Sequence, residues 1–120
     1  MQELDQILAH LVDQVDGATS AAVGGMDGLL IEQYPQHGQD LSAMAAEETN
    51  VLMHTRNAFG RTLAGGKLHE VIVTTEKMVG YTRLLSEDLF CLIVMSRSGN
   101  IGKARLYSEQ AAKEILEVFV

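Results

Sequence analysis

Few residues of this 120-residue chain stand at spacings that chemistry requires. The four histidines, His10, His37, His54 and His69, form neither an HxxxH nor an HExxH pair, and the single cysteine, Cys91, has no CxxC partner. No metal site and no cofactor are expected. Cys91 lies inside the apolar run Leu89 to Met95, where burial makes a core thiol of it rather than a nucleophile. GxSxG is absent, so no residue is assigned a catalytic role. Two glycine-lysine sites, at 65–67 and 99–103, resemble a phosphate-binding loop, but Leu68 and Ala104 stand where Ser or Thr would hold magnesium. Glu47 and Glu48 are adjacent on a predicted helix and diverge by about 100°, so they do not converge on one atom. Arg56, Arg61, Arg83, Arg97 and Arg105 are each conceivable as a finger for phosphoryl transfer in a partner, and the sequence selects none of them.

With catalysis set aside, composition bounds the partners. A net charge of −7 opposes a nucleic-acid backbone, whose binding depends on Lys and Arg displacing counterions. No run approaches the ~20 apolar residues of a membrane span. The opening segment is acidic at Glu3 and Asp5 and periodic rather than continuous, which fits a helix of the mature fold better than a signal peptide. A cytoplasmic protein without a membrane or nucleic-acid partner is the expectation. Residues 1–120 carry one proline and no low-complexity linker, as one domain would.

Positioning falls to the stretch from Asp40 to Leu63, which as one helix would be about 36 Å long. Leu41, Met44, Ala45, Leu52, Thr55, Phe59 and Leu63 form a stripe fit to lie on a sheet. Ser42, Ala46, Thr49, Met53 and Gly60 form a mostly small stripe that admits a second helix. Glu47, Asn50, His54, Asn57 and Arg61 form a polar stripe, either solvated or a contact surface. Glu48 is the exception, a carboxylate whose angle places it in the sheet-facing stripe.

Around this helix the period alternates. Leu4, Ile7, Leu8, Leu11, Val12 and Val15 recur at helical steps, with Gln2, Asp5, Gln6, Asp13 and Gln14 opposite. Ala18 to Gly24 and Leu29 to Tyr34 read as strands joined by a tight turn at Asp27-Gly28, and Asp40 as the N-cap of the long helix. Leu68 to Thr75, Met78 to Leu85 and Leu89 to Met95 read as an antiparallel meander. The last is apolar on both faces and belongs mid-sheet, which leaves the first at an edge, where Val71, Val73 and Thr75 invite another chain. Ser98 or Asn100 caps a final helix. The expected architecture is α+β, in the order α-β-β-α-β-β-β-α, a five-stranded antiparallel sheet with the long helix on one face and the terminal helices on the other.

The first helix ending at Gly17, AAVGGMDGLLIEQ, the alanine-rich helix ending LAGG, the meander and the NIG that opens the last helix resemble, in order, the roadblock/dynein light chain family. The chain looks like a bacterial or archaeal stand-alone member. The resemblance implies a homodimer whose edge strands pair and whose long helices lie antiparallel, with Ala46, Thr49, Met53, Val71, Val73 and Thr75 at the interface. It further implies a small Ras-like GTPase held across the paired helices by Glu47, Asn50, His54, Asn57 and Arg61. Stimulated GTP hydrolysis, a non-catalytic adaptor or scaffold role, and a small-ligand sensor are the readings left open.

Overall fold

A computed structural model describes residues 3–120. Gln2, placed by its spacing on the polar side of the first helix, lies outside the described residues. Helix α1 spans Leu4–Gln14 and opens with a reciprocal capping box between Glu3 and Gln6. Strands β1 (Ala18–Gly25) and β2 (Leu30–Tyr34) form a hairpin, whose turn is made by Gly28 at a φ of 89°. Helix α2 spans Ser42–Thr55 and continues as a π-helical segment, Arg56–Thr62. Then follow β3 (Glu70–Thr74), β4 (Met78–Leu84), β5 (Leu89–Ser96) and helix α3 (Ile101–Val118).

The five strands lie in the order β2-β1-β5-β4-β3, every pairing antiparallel. The doubly apolar β5 is central, as its sequence requires, and β3 is an edge. Because strand side chains alternate, the sheet presents two faces with different cover. On one face Val23, Tyr81, Ile93 and Met95 pack under Ile7, Leu8 and Leu11 of α1 and Ala104 and Ile115 of α3. On the other, Phe90 and Leu92 pack under Ala45 and Leu52 of α2, with half-buried residues such as Met26, Val71 and Leu84 around them. The fold is therefore α+β, with the long helix alone on its side.

Three local expectations are corrected. Leu41 occupies the N-cap position, and Asp40 instead accepts the Ser42 amide at 2.9 Å. The edge strand is shorter than Leu68 to Thr75, because Thr75 turns to bond Met78 through both its amide and its hydroxyl. The third correction concerns the long helix. Its last turns are wound with i→i+5 bonds, such as the Leu63 amide to the Ala58 carbonyl at 3.2 Å. By then it has reached the β4–β5 turn, where Arg56 donates to the Glu87 carbonyl. Beyond that point no strand lies beneath it. Phe59 and Leu63, expected on the sheet, are 59% and 67% exposed.

A close approach of backbone holds this overhang. The Gly65 amide donates to the Phe59 carbonyl at 2.8 Å. A Cβ on Gly65 would stand 2.7 Å from that carbonyl oxygen, and one on Gly60 2.8 Å from the Gly66 oxygen. Side chains at either position would push the loop off the helix.

Candidate partner-binding site

The orientation of α2 is fixed by two polar contacts. Thr49 shares its hydroxyl proton between the Ala45 carbonyl of its own helix at 3.1 Å and the Gly25 carbonyl of β1 at 3.3 Å, and Ala46 lies against Gly28 in the β1–β2 turn. On the other flank, the Glu48 carboxylate accepts the Thr82 hydroxyl of β4 at 2.9 Å. The helix therefore rides above β5. At 3.6 residues per turn, Met44 and Val51 follow Glu48 round the helix, away from Thr49. Both are exposed, and they look toward the half of the sheet face that α2 leaves open.

That open half belongs to β3 and β4. Val71 is half-buried against the Phe90–Leu92 cluster, while Val73 is 44% exposed and Met78 similarly bare. The outcome divides the expected interface residues. Val71 and Val73 border the open strip, with Thr75 exposed in the turn that follows. Thr49 is buried against its own sheet and so is not free to meet another helix. Ala46 and Met53 are exposed, but on the Thr49 flank or beyond it. The small-residue stripe thus faces the β1–β2 hairpin, because the short side chains of Ala46 and Thr49 admit that turn closely.

Glu47, Asn50, His54 and Asn57 all lie on the exposed outer face of α2. Arg61 is exposed too, but the π-helical winding turns it away from them and into a groove with Arg56, Lys67 and His69. Glu48, whose place was unexplained by sequence, is only 3% exposed. Burial pushes its carboxyl above the usual range, and the Thr82 hydrogen bond only partly offsets this. Cys91 is fully buried, and desolvation raises its thiol to about 12, well away from nucleophilic behaviour at neutral pH.

Sequence reasoning missed a polar cluster on the opposite face. Arg105 of α3 donates to Glu70 of β3 through Nε and Nη2, at 2.9 and 2.6 Å to Oε1. The Tyr81 hydroxyl also donates to Glu70, while Arg83 donates to that hydroxyl at 3.0 Å and to Ser108 Oγ at 2.9 Å. The Arg105 hydrogen bonds hold the Glu70 carboxyl below its usual range, and burial raises the Tyr81 phenol. Two arginines are therefore committed to structure. Arg97 is occupied as well, donating to the Thr75 carbonyl. The only linear signal for the cluster is the i, i+2 spacing of Tyr81 and Arg83 on one side of β4; topology supplies the rest.

No group of three His, Cys, Asp or Glu residues among the described residues is placed to hold a metal. Nor is any described helix long and apolar enough to cross a membrane. The fold defines a small sheet domain with one face covered by two helices, save at Ile72 on the edge strand, and the other covered by α2 alone.

No family model matches the sequence, and no curated protein does. Solved structures do. A Roadblock/LC7 domain from Streptomyces avermitilis superposes with a TM-score of 0.88 at 21% identity, covering 98% of each chain. MglC from Myxococcus xanthus is 30% identical over 92% of this chain and 93% of its own, with a TM-score of 0.62. The gliding protein MglB from Thermus thermophilus is 16% identical over 93% of this chain and 88% of its own, with a TM-score of 0.76. The chain belongs to the roadblock/LC7 family.

Proposed function

We propose that the protein is a homodimeric, non-enzymatic regulator of a small Ras-like GTPase, held across two copies of α2. The observation that carries the reading is the half-covered sheet face, where exposed Met44, Val51, Val73 and Met78 border one strip. Pairing of β3 with its copy would continue the sheet, and a second α2 would lie over the open strip beside the first. This arrangement removes apolar surface from water at about 25 cal/mol per Å2 and satisfies an unpaired strand edge. In it the helices meet through the Met44 and Val51 flank, not through Ala46, Thr49 and Met53.

The outer faces of the two helices then form one polar platform, to which each copy contributes Glu47, Asn50, His54 and Asn57. A partner seated there touches both copies, so dimerisation and binding are linked. Membership of the roadblock/LC7 family, whose resemblance implies such a partner, supports a GTPase of the Ras type. Of the five arginines, Arg83, Arg97 and Arg105 are engaged within the domain and are not free to reach a partner's phosphates.

Single-turnover GTP hydrolysis by the same organism's Ras-like GTPase, with and without this protein, tests the reading. Acceleration with preferential binding of the GTP form is expected. Binding indifferent to nucleotide and without acceleration would make the protein an adaptor. Failure to bind either form would overturn the proposal.

A further inference from the structure

The overhanging end of α2 creates a groove that the polar platform does not include. It has a volume of about 500 Å3, within the about 300–1,000 Å3 of clefts that take a ligand. Arg56 and Arg61 from the π-helical segment and Lys67 and His69 from the following loop line one wall. Half-buried Leu68, Leu84 and Leu85 supply apolar surface between them, and Glu87, whose backbone carbonyl Arg56 bonds, lines the groove together with Asp88. The cations are not neutralised. The ion pairs among the described residues are Arg83–Glu70, Lys103–Asp16 and Arg105–Glu70. Arg56 spends one N–H on a backbone carbonyl, while Arg61 and Lys67 project into a groove whose own carboxylates they do not meet. Three cations against two carboxylates leave the groove slightly positive in a chain of net charge −7.

We propose that this groove docks an extended acidic segment of a partner protein, in which carboxylates alternate with aliphatic side chains. The carboxylates meet Arg61, Lys67 and Arg56, and an aliphatic side chain lies on Leu68, Leu84 and Leu85. The segment's backbone N–H groups face Glu87 and Asp88. The lining favours this occupant over a free phosphate, because a peptide's N–H groups can use the Glu87 and Asp88 carboxylates and its aliphatic side chains the leucines, whereas an inorganic anion can use neither. Cation–carboxylate hydrogen bonds across such a wall are charge-assisted and set orientation as well as affinity. The proposal rests on the reading that the chain works by holding a protein, and adds a second point of contact beyond the platform.

The test titrates the 15N-labelled protein with a capped pentapeptide alternating glutamate and leucine, beside its glutamine analogue and pyrophosphate. Saturable shifts are expected at the amides of residues 67–69 and 86–88, with the glutamine analogue at least about tenfold weaker. The double variant Arg61→Gln/Lys67→Gln should bind at least about fivefold more weakly with unchanged melting. Absence of those shifts, equal response to the glutamine analogue, or tighter saturation by pyrophosphate would overturn the proposal. The comparison of peptides on unaltered protein needs no variant to fold. Binding of the GTPase, measured in parallel, separates the two ideas: a GTPase that binds while the peptide does not leaves the platform reading standing and refutes the groove.

Discussion

The two faces of the sheet are built from the same strands and finished differently. Under α1 and α3 the face is closed: Tyr81, Ile93 and Ile115 are wholly buried, and the polar atoms of Glu70, Tyr81 and Arg83 bond one another. Under α2 it is half open, with Met44, Val51 and Val73 bare and a lone buried carboxylate at Glu48. One face supplies the stability of the domain. The other withholds burial that a monomer could have used, and the withheld surface lies where a second chain can reach it.

Breaking the closed face should have the largest effect. Ile115→Ala leaves a cavity between α3 and the sheet and should cost roughly 2–4 kcal/mol in urea denaturation. Val73→Lys on the open face should leave the folded monomer within about 0.5 kcal/mol but halve the mass measured by light scattering. A variant that stays dimeric would refute the β3 interface.

Two carboxylates, one on each face, sharpen the contrast through pH. Glu48 is held above the usual 4.5 by burial, so the folded state binds its proton more tightly and stability falls as pH rises from 4.5 through the raised value. Glu48→Gln should therefore raise the neutral-pH melting temperature by roughly 2–5 °C, with the gain vanishing in acid. Glu70 is held below 4.5, chiefly by Arg105, and contributes stability above 4.5 that disappears as pH falls through its lowered value. Glu70→Gln should cost under about 1 kcal/mol at neutral pH, less in acid, because the pair is partly exposed. The smallest effect on melting belongs to the platform: His54→Ala with Asn57→Ala should change it hardly at all while weakening GTPase binding.

The element order was legible in the sequence because each element carries a strong period, from the helical steps of Leu4 to Leu11 to the doubly apolar run of β5. The edge position of β3 followed from β5 being central. What the sequence could not supply was rotation and ending. An angular plot assumes one pitch throughout, so it carried Phe59 and Leu63 onto a sheet that stops at Glu87, and it kept Arg61 beside His54. The stripe of Ala46 and Thr49 was read as a face for a second helix, yet short side chains serve a turn as well as a helix, and in this chain Thr49 reaches the Gly25 carbonyl. The Glu70 cluster joins residues as far apart as 70 and 105 with no local pattern to announce it.

Amide hydrogen exchange at the two edge strands tests most directly the claim that the open face is completed by a second copy. Both β2 and β3 expose one unpaired edge in a single chain. If two copies pair through β3, the amides of Glu70–Thr74 exchange far more slowly than those of Leu30–Tyr34, and the difference collapses on dilution or in Val73→Lys. Equal, concentration-independent exchange at both edges would contradict the account.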